Sequence, residues 1–422
     1  MKVEKRIECD VLVVGAGPSG SSAAIFTARN RVSTILIDKK EEIGKNVPCA
    51  EGVGRGYLKK LFFLKRTSLK YKKLLPLIIS RKSIVWRIDG ISYHCLDVSV
   101  KHTSSFFKGF ATERKIFDKW LAEKAVRSGA RLLKSHELVD LDLDDEGNVR
   151  KAIVRDSKSK KVVEVFPKII IAADGCESTV LKLLELFKPK EGDIGKVWAF
   201  EMTNLKIYEP RIQKIYLGDF APSGWGFVFP KSKYTATLGI GLIFPKSDQF
   251  LERKYEEFLE LEPLKRMTKD AKIVVNKRAP IRHGNIVDRW VIKNVILTGD
   301  CANHNIKPYY EGVLPGVITG KIAGELAIKK LKGKPISHRD YIDQVRRRIP
   351  YFAVSELLVD IMPDVFKIKE IERKYLLMAN ALVFFALIDK VGVKEAVRKM
   401  HRLLLMSTGE LKQLFLNSPK LF

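Results

Sequence analysis

The stretch DVLVVGAGPSGSSAA, residues 10–24, decides the fold. An apolar run typical of a buried strand leads into GAGPSG, residues 15–20, and small residues typical of a close-packed helix follow. In such a turn Gly15 makes the tight bend, Gly17 lets the backbone approach a pyrophosphate, and Gly20 lets helix and strand pack closely. The pattern predicts the opening βαβ unit of a dinucleotide-binding fold.

A second strand supports this prediction. VSTILID, residues 32–38, ends in Asp38, which is where an acid accepts hydrogen bonds from a ribose hydroxyl. The free N–H groups and the dipole of the helix N-terminus favour phosphate. The alternative is a tight turn without a ligand.

A distant segment favours FAD over NAD. NVILTGDCANHNIKPYYEGV, residues 294–313, repeats the pattern of a strand followed by a turn. A dinucleotide that touches both segments must be long, as FAD is. Its ribityl hydroxyls suit Asp300, and its isoalloxazine suits Gly312 at the start of the next helix, whose dipole favours negative charge on a reduced flavin. Alone, TGD is equally typical of an ordinary strand-end turn.

Composition and charge narrow the class of protein. The chain has 422 residues, enough for two domains or one large composite domain. Lys and Arg number 77 against 49 Asp and Glu, a net charge of +28 that is typical of surfaces meeting anions. Because no nucleic-acid-binding motif is present, we favour an anionic membrane surface or an acidic partner over nucleic acid.

The cysteines and the apolar runs indicate a cytoplasmic protein. No two of the five cysteines form a CxxC pair, which argues against zinc and against a four-cysteine iron–sulfur cluster, so we predict no metal. Wide spacing and an odd count are typical of reduced thiols. The N-terminus does not read as a signal peptide, and no apolar segment reaches the ~18 residues of a membrane span.

We predict an α/β protein with a Rossmann-type domain, an antiparallel-sheet substrate domain and a helical C-terminal region. Helical spacing predicts a helix over 114–129, and alternating apolar residues predict antiparallel strands within 185–275. The predicted dinucleotide-binding domain comprises 1–79, 111–184 and 276–335, the substrate domain 80–110 and 185–275, and the helical region 336–422.

The chain resembles the geranylgeranyl reductase family of FAD proteins, in particular the archaeal digeranylgeranylglycerophospholipid reductases. The matching motifs are DVLVVGAGPSGSSAA, PCAEGV, ERKIFDKWLAEKA, AADGCEST, GWGFVFP and TGDCAN with the later YYEGV and GKIAGELA. They cover most of residues 9–330 in the family's order. The resemblance implies a glutathione-reductase-type FAD domain in the hydroxybenzoate-hydroxylase arrangement, and saturation of the isoprenoid chains of membrane ether lipids or their precursors.

The resemblance also implies the site residues. Ser19 and its neighbours would hold the pyrophosphate, Asp38 the adenosine ribose, and Asp300 the ribityl chain. Arg114 would reach the FAD from its helix, and Leu138 would touch the adenine through its backbone. The implied cofactor-binding residues are Gly15, Gly17, Pro18, Ser19, Gly20, Asp38, Lys39, Cys49, Ala50, Gly52, Arg114, Leu138, Asp174, Gly299, Asp300, Gly312 and Val313.

The implied substrate site is aromatic. Trp225, Phe227 and Phe229 alternate along one predicted strand and therefore share a face, either against the core or along a tunnel for a lipid chain. Tyr309 and Tyr310 are further candidates for the cavity wall. The C-terminal run YLLMANALVFFALI, residues 375–388, is either a buried helix or part of a docking face. Its basic neighbours favour peripheral association with the inner face of the cell membrane.

Cys49 is the candidate catalytic residue. The resemblance places its loop beside the isoalloxazine, where a thiol can donate a proton, tune the flavin or fill a tight gap. Alkene saturation needs a hydride on one carbon and a proton on the other. A catalytic role predicts that Cys49→Ala keeps FAD but loses much of the alkene reduction.

Because the sequence departs from the family pattern at several positions, other functions are also consistent with it. Phe227 stands where Trp is usual, and Leu181 and Lys182 follow the Asp-Gly motif where Arg is usual. The alternatives are a FixC-like quinone- or ferredoxin-linked FAD dehydrogenase, an FAD-dependent monooxygenase, and a basic flavin-binding protein without turnover. Without a second GxGxxG, the electron donor stays open between ferredoxin, NAD(P)H and another reductant.

Overall fold

The structure is a computed structural model. It describes residues 3–47, 49, 51–54, 72–78, 85–88, 91–96, 109–111, 113–208, 210, 212–308, 310–349, 352–370, 373–378, 380 and 393–417. Within these ranges the chain forms two sheets with helices packed on them.

The described strands and helices alternate along most of the chain. The strands are β1 (Val3–Val14), β2 (Thr34–Asp38), β3 (Gly52–Gly54), β4 (Lys72–Ile78), β5 (Val85–Ile88), β6 (Ile91–Leu96), β7 (Gly109–Ala111), β8 (Arg131–Lys134), β9 (His136–Leu143), β10 (Val149–Asp156), β11 (Val162–Ala172), β12 (Ile194–Thr203), β13 (Ile212–Gly218), β14 (Gly224–Pro230), β15 (Ala236–Leu242), β16 (Lys272–Arg282), β17 (Val291–Ile292) and β18 (Val295–Leu297). The helices are α1 (Pro18–Arg29), α2 (Arg114–Arg127), α3 (Thr179–Leu183), α4 (Asp248–Leu259), α5 (Glu262–Thr268), α6 (Val313–Leu331), α7 (His338–Arg348), α8 (Phe352–Lys367), α9 (Val393–Leu405) and α10 (Thr408–Asn417).

The first sheet carries the predicted dinucleotide-binding unit. Its strand order is β17-β18-β11-β1-β2-β8, with β9 and β10 as an antiparallel pair beside β11. The pairs β11–β1, β1–β2, β2–β8 and β11–β18 are parallel. Residues 11–13 of β1 are fully buried, as expected for a parallel strand covered on both faces. The carboxyl ends of β1, β2 and β18 therefore meet at one edge.

Helices α1 and α6 pack closely over this sheet. Gly316, Gly320 and Gly324 recur every four residues on α6 and face α1. A Cβ atom at Gly320 would overlap the backbone oxygen of Ser19, and one at Gly324 would press on the backbone oxygen of Ala23. A side chain at Gly320 would force the two helices apart, and one at Gly324 would require a small shift, whereas a Cβ atom at Gly316 would only touch Ser19 at 3.7 Å.

The second sheet is largely antiparallel. Its order is β16-β12-β15-β14-β13-β4-β7-β3, with the β5–β6 hairpin beside β13. Strands β12, β14, β15 and β16 pair antiparallel, whereas β13 and β4 are parallel. Helix α4 covers one face through buried Leu251, Tyr255 and Phe258.

These two sheets confirm the predicted α/β fold class. Strand β16 runs on to residue 282, and β3 and β4 also pair within the second sheet. The division of the chain into six domain segments stays a proposal.

The C-terminal region is helical where the structure describes it. Tyr375, Leu376, Leu377 and Met378 are buried, in agreement with a buried segment at the start of the apolar run. Positions 379 and 381–388 of that run lie outside the described residues. Among the helices that the structure describes, none combines the length and the apolar character needed to cross a bilayer.

Candidate active site

The glycine turn leaves a cradle at the edge of the first sheet. Gly15 has a φ of +98°, and a Cβ atom there would overlap the backbone oxygen of Ala173. Gly17 is the N-cap residue of α1, and a Cβ atom there would meet nothing within 4 Å. The N–H groups of the first turn of α1 therefore face open space, a fit for a pyrophosphate. Gly20 instead packs on the backbone oxygen of Gly15, away from this space.

The turn and the second strand fix the Asp38 carboxylate. Its Oδ2 accepts a hydrogen bond from the Ala16 N–H at 2.8 Å, and its Oδ1 accepts one from the Lys40 N–H at 2.8 Å. Each oxygen retains a lone pair, so a ribose hydroxyl is able to donate to the same carboxylate.

One cavity of about 540 Å³ joins both ends of the predicted site. The predicted residues that line it are Gly15, Gly17, Pro18, Ser19, Asp38, Lys39, Cys49, Arg114, Leu138, Asp174, Trp225, Phe227, Phe229, Gly299, Asp300, Gly312 and Val313. Gly20 is not among the described lining residues, because it packs between strand and helix, and Gly52 belongs to β3. Ala50 and Tyr309 lie outside the described residues.

Cys49 lies on the cavity wall beside the start of α2. Its Sγ accepts a hydrogen bond from the Glu51 N–H at 3.2 Å. Burial raises the pKa of the Cys49 thiol, and the positive charge of Arg114 offsets part of this rise. The Arg114 guanidinium is held by two hydrogen bonds of 2.8 Å to Asp118, so its direction is fixed. The thiol is therefore protonated at neutral pH.

Three buried charges and one partly exposed charge, Glu201, tie the Cys49 loop to the second sheet. We call Glu51, Glu201, Lys231 and Lys277 the Glu51 cluster. The Lys231 Nζ contacts Glu51 and lies 2.8 Å from the Glu201 Oε2. The Lys277 Nζ lies 3.7 Å from Glu51 and 3.9 Å from Glu201. Burial lowers the pKa of Lys231, but the two carboxylates outweigh it, so the net pKa is raised and the ammonium form is retained.

Glu51 also sets the backbone next to Cys49. Its φ is +65°, in the left-handed region, and its Oε1 accepts a hydrogen bond from the Arg114 N–H at 3.2 Å. The Glu51 cluster therefore holds a strained turn between the thiol and α2. Sequence reasoning missed this cluster, because its members stand on four separate segments.

Strand β14 supplies an aromatic wall. Trp225, Phe227 and Phe229 all line the cavity, and the ring centroids of the two phenylalanines are 5.5 Å apart. On the opposite face a Cβ atom at Gly226 would overlap the ring of Phe258 in α4. The Phe258 ring thus covers the glycine face of β14, and the face that carries the three aromatic side chains is left for a ligand.

The N-terminus of α6 closes the far end of the cavity. The Glu311 Oε1 accepts hydrogen bonds from the N–H groups of Val313 at 3.1 Å and Leu314 at 3.0 Å. Burial raises the pKa of Glu311 to about 8, so the side chain is neutral at pH 7. The Asp300 Oδ1 accepts a hydrogen bond from the Asn305 amide at 3.3 Å. A neutral Glu311 leaves the helix dipole available to an anionic ligand.

Two residues near the strand ends serve the local structure. Asp174 accepts hydrogen bonds from the Ser178 hydroxyl at 2.8 Å and the Val180 N–H at 2.9 Å, which orders the turn into α3. His304 is fully buried against Trp290, and burial lowers its pKa to about 3. His304 is therefore a neutral packing residue.

Comparison with known proteins identifies the family. A family model for FAD dependent oxidoreductases matches residues 10–176, and one for the geranylgeranyl reductase catalytic domain matches residues 193–279. A digeranylgeranylglycerophospholipid reductase from Methanococcus aeolicus is 30% identical over 372 residues, covering 87% of each chain. One from Methanocaldococcus jannaschii is 31% identical over 325 residues, covering 76% of this chain and 78% of its own.

The chain belongs to the digeranylgeranylglycerophospholipid reductase family. As a member of this reductase family it is an FAD-dependent oxidoreductase, so the predicted family and cofactor are confirmed. A geranylgeranyl bacteriochlorophyll reductase-like protein from Thermoplasma acidophilum has the same fold, with a TM-score of 0.70 at 22% identity, covering 94% of this chain and 100% of that one. The roles of the individual site residues stay predictions.

Proposed function

We propose that the protein saturates the geranylgeranyl double bonds of membrane ether lipids or their precursors. The observation that carries the proposal is the shared cavity, in which the aromatic wall of β14 faces the same space as Cys49 and the N-terminus of α6. A flexible apolar chain gains about 25 cal/mol for each Å² that it buries against such a wall. The family to which the chain belongs supports the same substrate.

FAD fits the polar half of the cavity. The N-terminus of α1 would hold its pyrophosphate, Asp38 its adenosine ribose and Asp300 its ribityl chain. When bound and reduced, FAD supplies a hydride. The chain's own contributions are to orient one alkene against the cofactor, to exclude water with the aromatic wall, and to place an acid beside the second carbon.

Anaerobic single turnover tests this function. The purified protein is reduced with dithionite and mixed with a geranylgeranyl lipid or with geranylgeranyl diphosphate. We expect the flavin to be reoxidised while the product gains two hydrogens for each reduced bond, as measured by mass spectrometry. Reoxidation by a quinone but by neither isoprenoid would instead assign the protein to the quinone-linked dehydrogenases.

We further propose that one end of the second sheet docks on an anionic membrane. We call residues 204–208, 232–235 and 267–274 the β14–β15 tip. The three segments are in contact, because the Leu205 N–H donates to the Tyr234 backbone oxygen at 3.1 Å and the Lys206 N–H donates to the Met267 backbone oxygen at 3.1 Å. The tip begins three residues beyond Phe229, about 10 Å of extended chain. A lipid tail at the tip is therefore close to the aromatic wall.

The side chains of the tip suit a lipid interface. Tyr208 is 87% exposed and Tyr234 66% exposed, and the apolar side chains of Ile273 and Val274 are each 58% exposed. Exposed lysines surround them: Lys206, Lys233, Lys269 and Lys272. Tyrosine favours the interface, and each lysine near an anionic leaflet contributes about 1 kcal/mol.

Vesicle flotation tests the β14–β15 tip. We expect a triple variant with Lys233→Glu, Lys269→Glu and Lys272→Glu to bind phosphatidylglycerol vesicles at least tenfold more weakly than the unaltered protein. The matched control carries the same Lys→Glu change at three exposed lysines elsewhere, Lys119, Lys332 and Lys334. Equal losses in the two triple variants would show that only net charge matters, and would refute docking through the tip.

A further inference from the structure

A buried polar cluster lies behind the aromatic wall. Tyr310 lines the cavity, and its ring centroid is 5.0 Å from that of Trp225. Its hydroxyl lies 2.5 Å from Nδ1 of buried His283. The backbone of His283 is held by Asn303, whose side-chain amide donates to the His283 backbone oxygen at 2.9 Å. The sequence marked Tyr310 only as a candidate for the cavity wall, and it did not mark His283.

Tyr310 is a protonated phenol in the cavity wall. Burial raises the pKa of its hydroxyl well above the ordinary value of 10.0, so the phenol is protonated throughout the physiological range. Burial also lowers the pKa of His283 to about 3, so the imidazole is neutral and has one N–H. With this proton on Nδ1, the imidazole donates a hydrogen bond to the Tyr310 oxygen, which leaves the phenol O–H free to turn toward a ligand.

A buried lysine lies close to the same ring, and burial lowers the pKa of Lys307 to about 7, so about half of it is charged at neutral pH. Lys307 is almost fully buried, and its Nζ donates to the Asn303 Oδ1 at 2.5 Å and to the Asn305 backbone oxygen at 3.5 Å. The ammonium group is 5.8 Å from the centre of the Tyr310 ring. A positive charge at this distance, in a medium of low polarity, stabilises a phenolate more strongly than it would in water.

We propose that Tyr310 is the proton donor of the reduction, with His283 as its positioning residue. The assignment rests on the proposed function. The O–H bond of Tyr310 breaks as a C–H bond forms at one alkene carbon, while the other carbon takes the hydride supplied by the reduced cofactor. Tyr310 is left as a phenolate that accepts a hydrogen bond from His283, and it regains a proton from water once the product leaves. Cys49 then shapes the cavity without transferring a proton.

Single-turnover reoxidation of the reduced holoenzyme by geranylgeranyl lipid tests the assignment. We expect Tyr310→Phe to bind FAD normally, to keep the ring contact with Trp225, and to react at least 100-fold more slowly, as is typical of a lost general acid. Tyr341→Phe is the matched control, because it removes a buried tyrosyl hydroxyl, bonded to the Thr319 oxygen, that lies outside the cavity. We expect the control to react at the rate of the unaltered enzyme.

Two readouts separate proton transfer from packing. We expect Cys49→Ala to keep the solvent deuterium isotope effect on reoxidation, and His283→Gln to enlarge it because the donor is less well held. Without substrate, we expect Tyr310→Phe to shift the ¹⁵N resonance of the His283 Nδ1, identified by its loss in His283→Gln.

The outcomes distinguish this assignment from the proposed function. If the unaltered enzyme reduces the lipid and Tyr310→Phe does so equally fast, the proton-donor role of Tyr310 is wrong and the function stands. Loss of the isotope effect in Cys49→Ala with Tyr310→Phe unaffected would transfer the role to the thiol. If the unaltered enzyme does not react with any geranylgeranyl substrate, both proposals fall.

Discussion

Replacing Lys231 with methionine is expected to lower the free energy of unfolding by about 3 kcal/mol, at the lower end of the range for breaking a buried ion pair. The substitution leaves the Glu51 and Glu201 carboxylates near one remaining cation, the Lys277 Nζ, at 3.7 and 3.9 Å. Taking one partner from a buried cluster leaves a charge that water cannot reach. Urea denaturation of the holoenzyme measures the loss.

An exposed ion pair provides the matched control for Lys231→Met. Lys196 and Asp248 lie 2.6 Å apart, and both side chains are about half exposed. We expect Lys196→Met to change the free energy of unfolding by less than about 1 kcal/mol. Adding Glu51→Gln to Lys231→Met should restore part of the lost stability, since the amide still accepts from the Arg114 N–H. Similar losses for Lys231→Met and Lys196→Met would show that the Glu51 cluster is solvated.

Glu311 is expected to make the protein less stable as the pH rises from 5 to 8. Its pKa is 4.5 in an ordinary environment and about 8 in the folded protein, so within this interval folding takes up a proton. The stabilisation is complete below pH 4.5 and is lost as the pH passes 8, at about 1.4 kcal/mol for each pH unit. The loss across the interval is roughly 4 kcal/mol.

The variant Glu311→Gln isolates this effect. Glutamine still accepts from the Val313 and Leu314 N–H groups but does not ionise, so the variant should lack this part of the pH dependence. The difference in unfolding free energy between the two proteins, measured by urea denaturation from pH 5 to 9, should move in favour of the variant. Glu191→Gln, at an exposed glutamate, is the control. Parallel pH curves for the protein and Glu311→Gln would contradict the prediction.

Local patterns were enough to predict the first half of the site. The glycine turn, the strand before it and Asp38 lie within thirty-odd residues, and their geometry follows from the chain's own turn and strand preferences. The helix predicted over 114–129 was found at Arg114–Arg127, and the alternation of Trp225, Phe227 and Phe229 placed all three on the cavity wall. In each case a short period in the sequence determines which side chains share a face.

The rest of the site depends on contacts between distant segments. Lys231 and Lys277 look like two of many solvated lysines until the fold places them against Glu51. Likewise the pairing of His283 with Tyr310 requires the end of β16 to meet the loop before α6. His283 has no neighbour at helical or strand spacing that would mark it, so the sequence indicated Tyr310 as a wall residue but not its partner.

During synthesis, helix α1 leaves the ribosome long before α6, the helix on which it packs. The Ser22 hydroxyl donates to the Val317 oxygen at 2.7 Å, a contact across 295 positions of the chain. At translation rates of about 5–20 residues per second, the partner of α1 leaves the ribosome roughly 15–60 s after α1 itself. Through that interval the small-residue face of α1 has nothing to pack against. The nascent chain must therefore be kept from aggregating before its nucleotide-binding half is able to close.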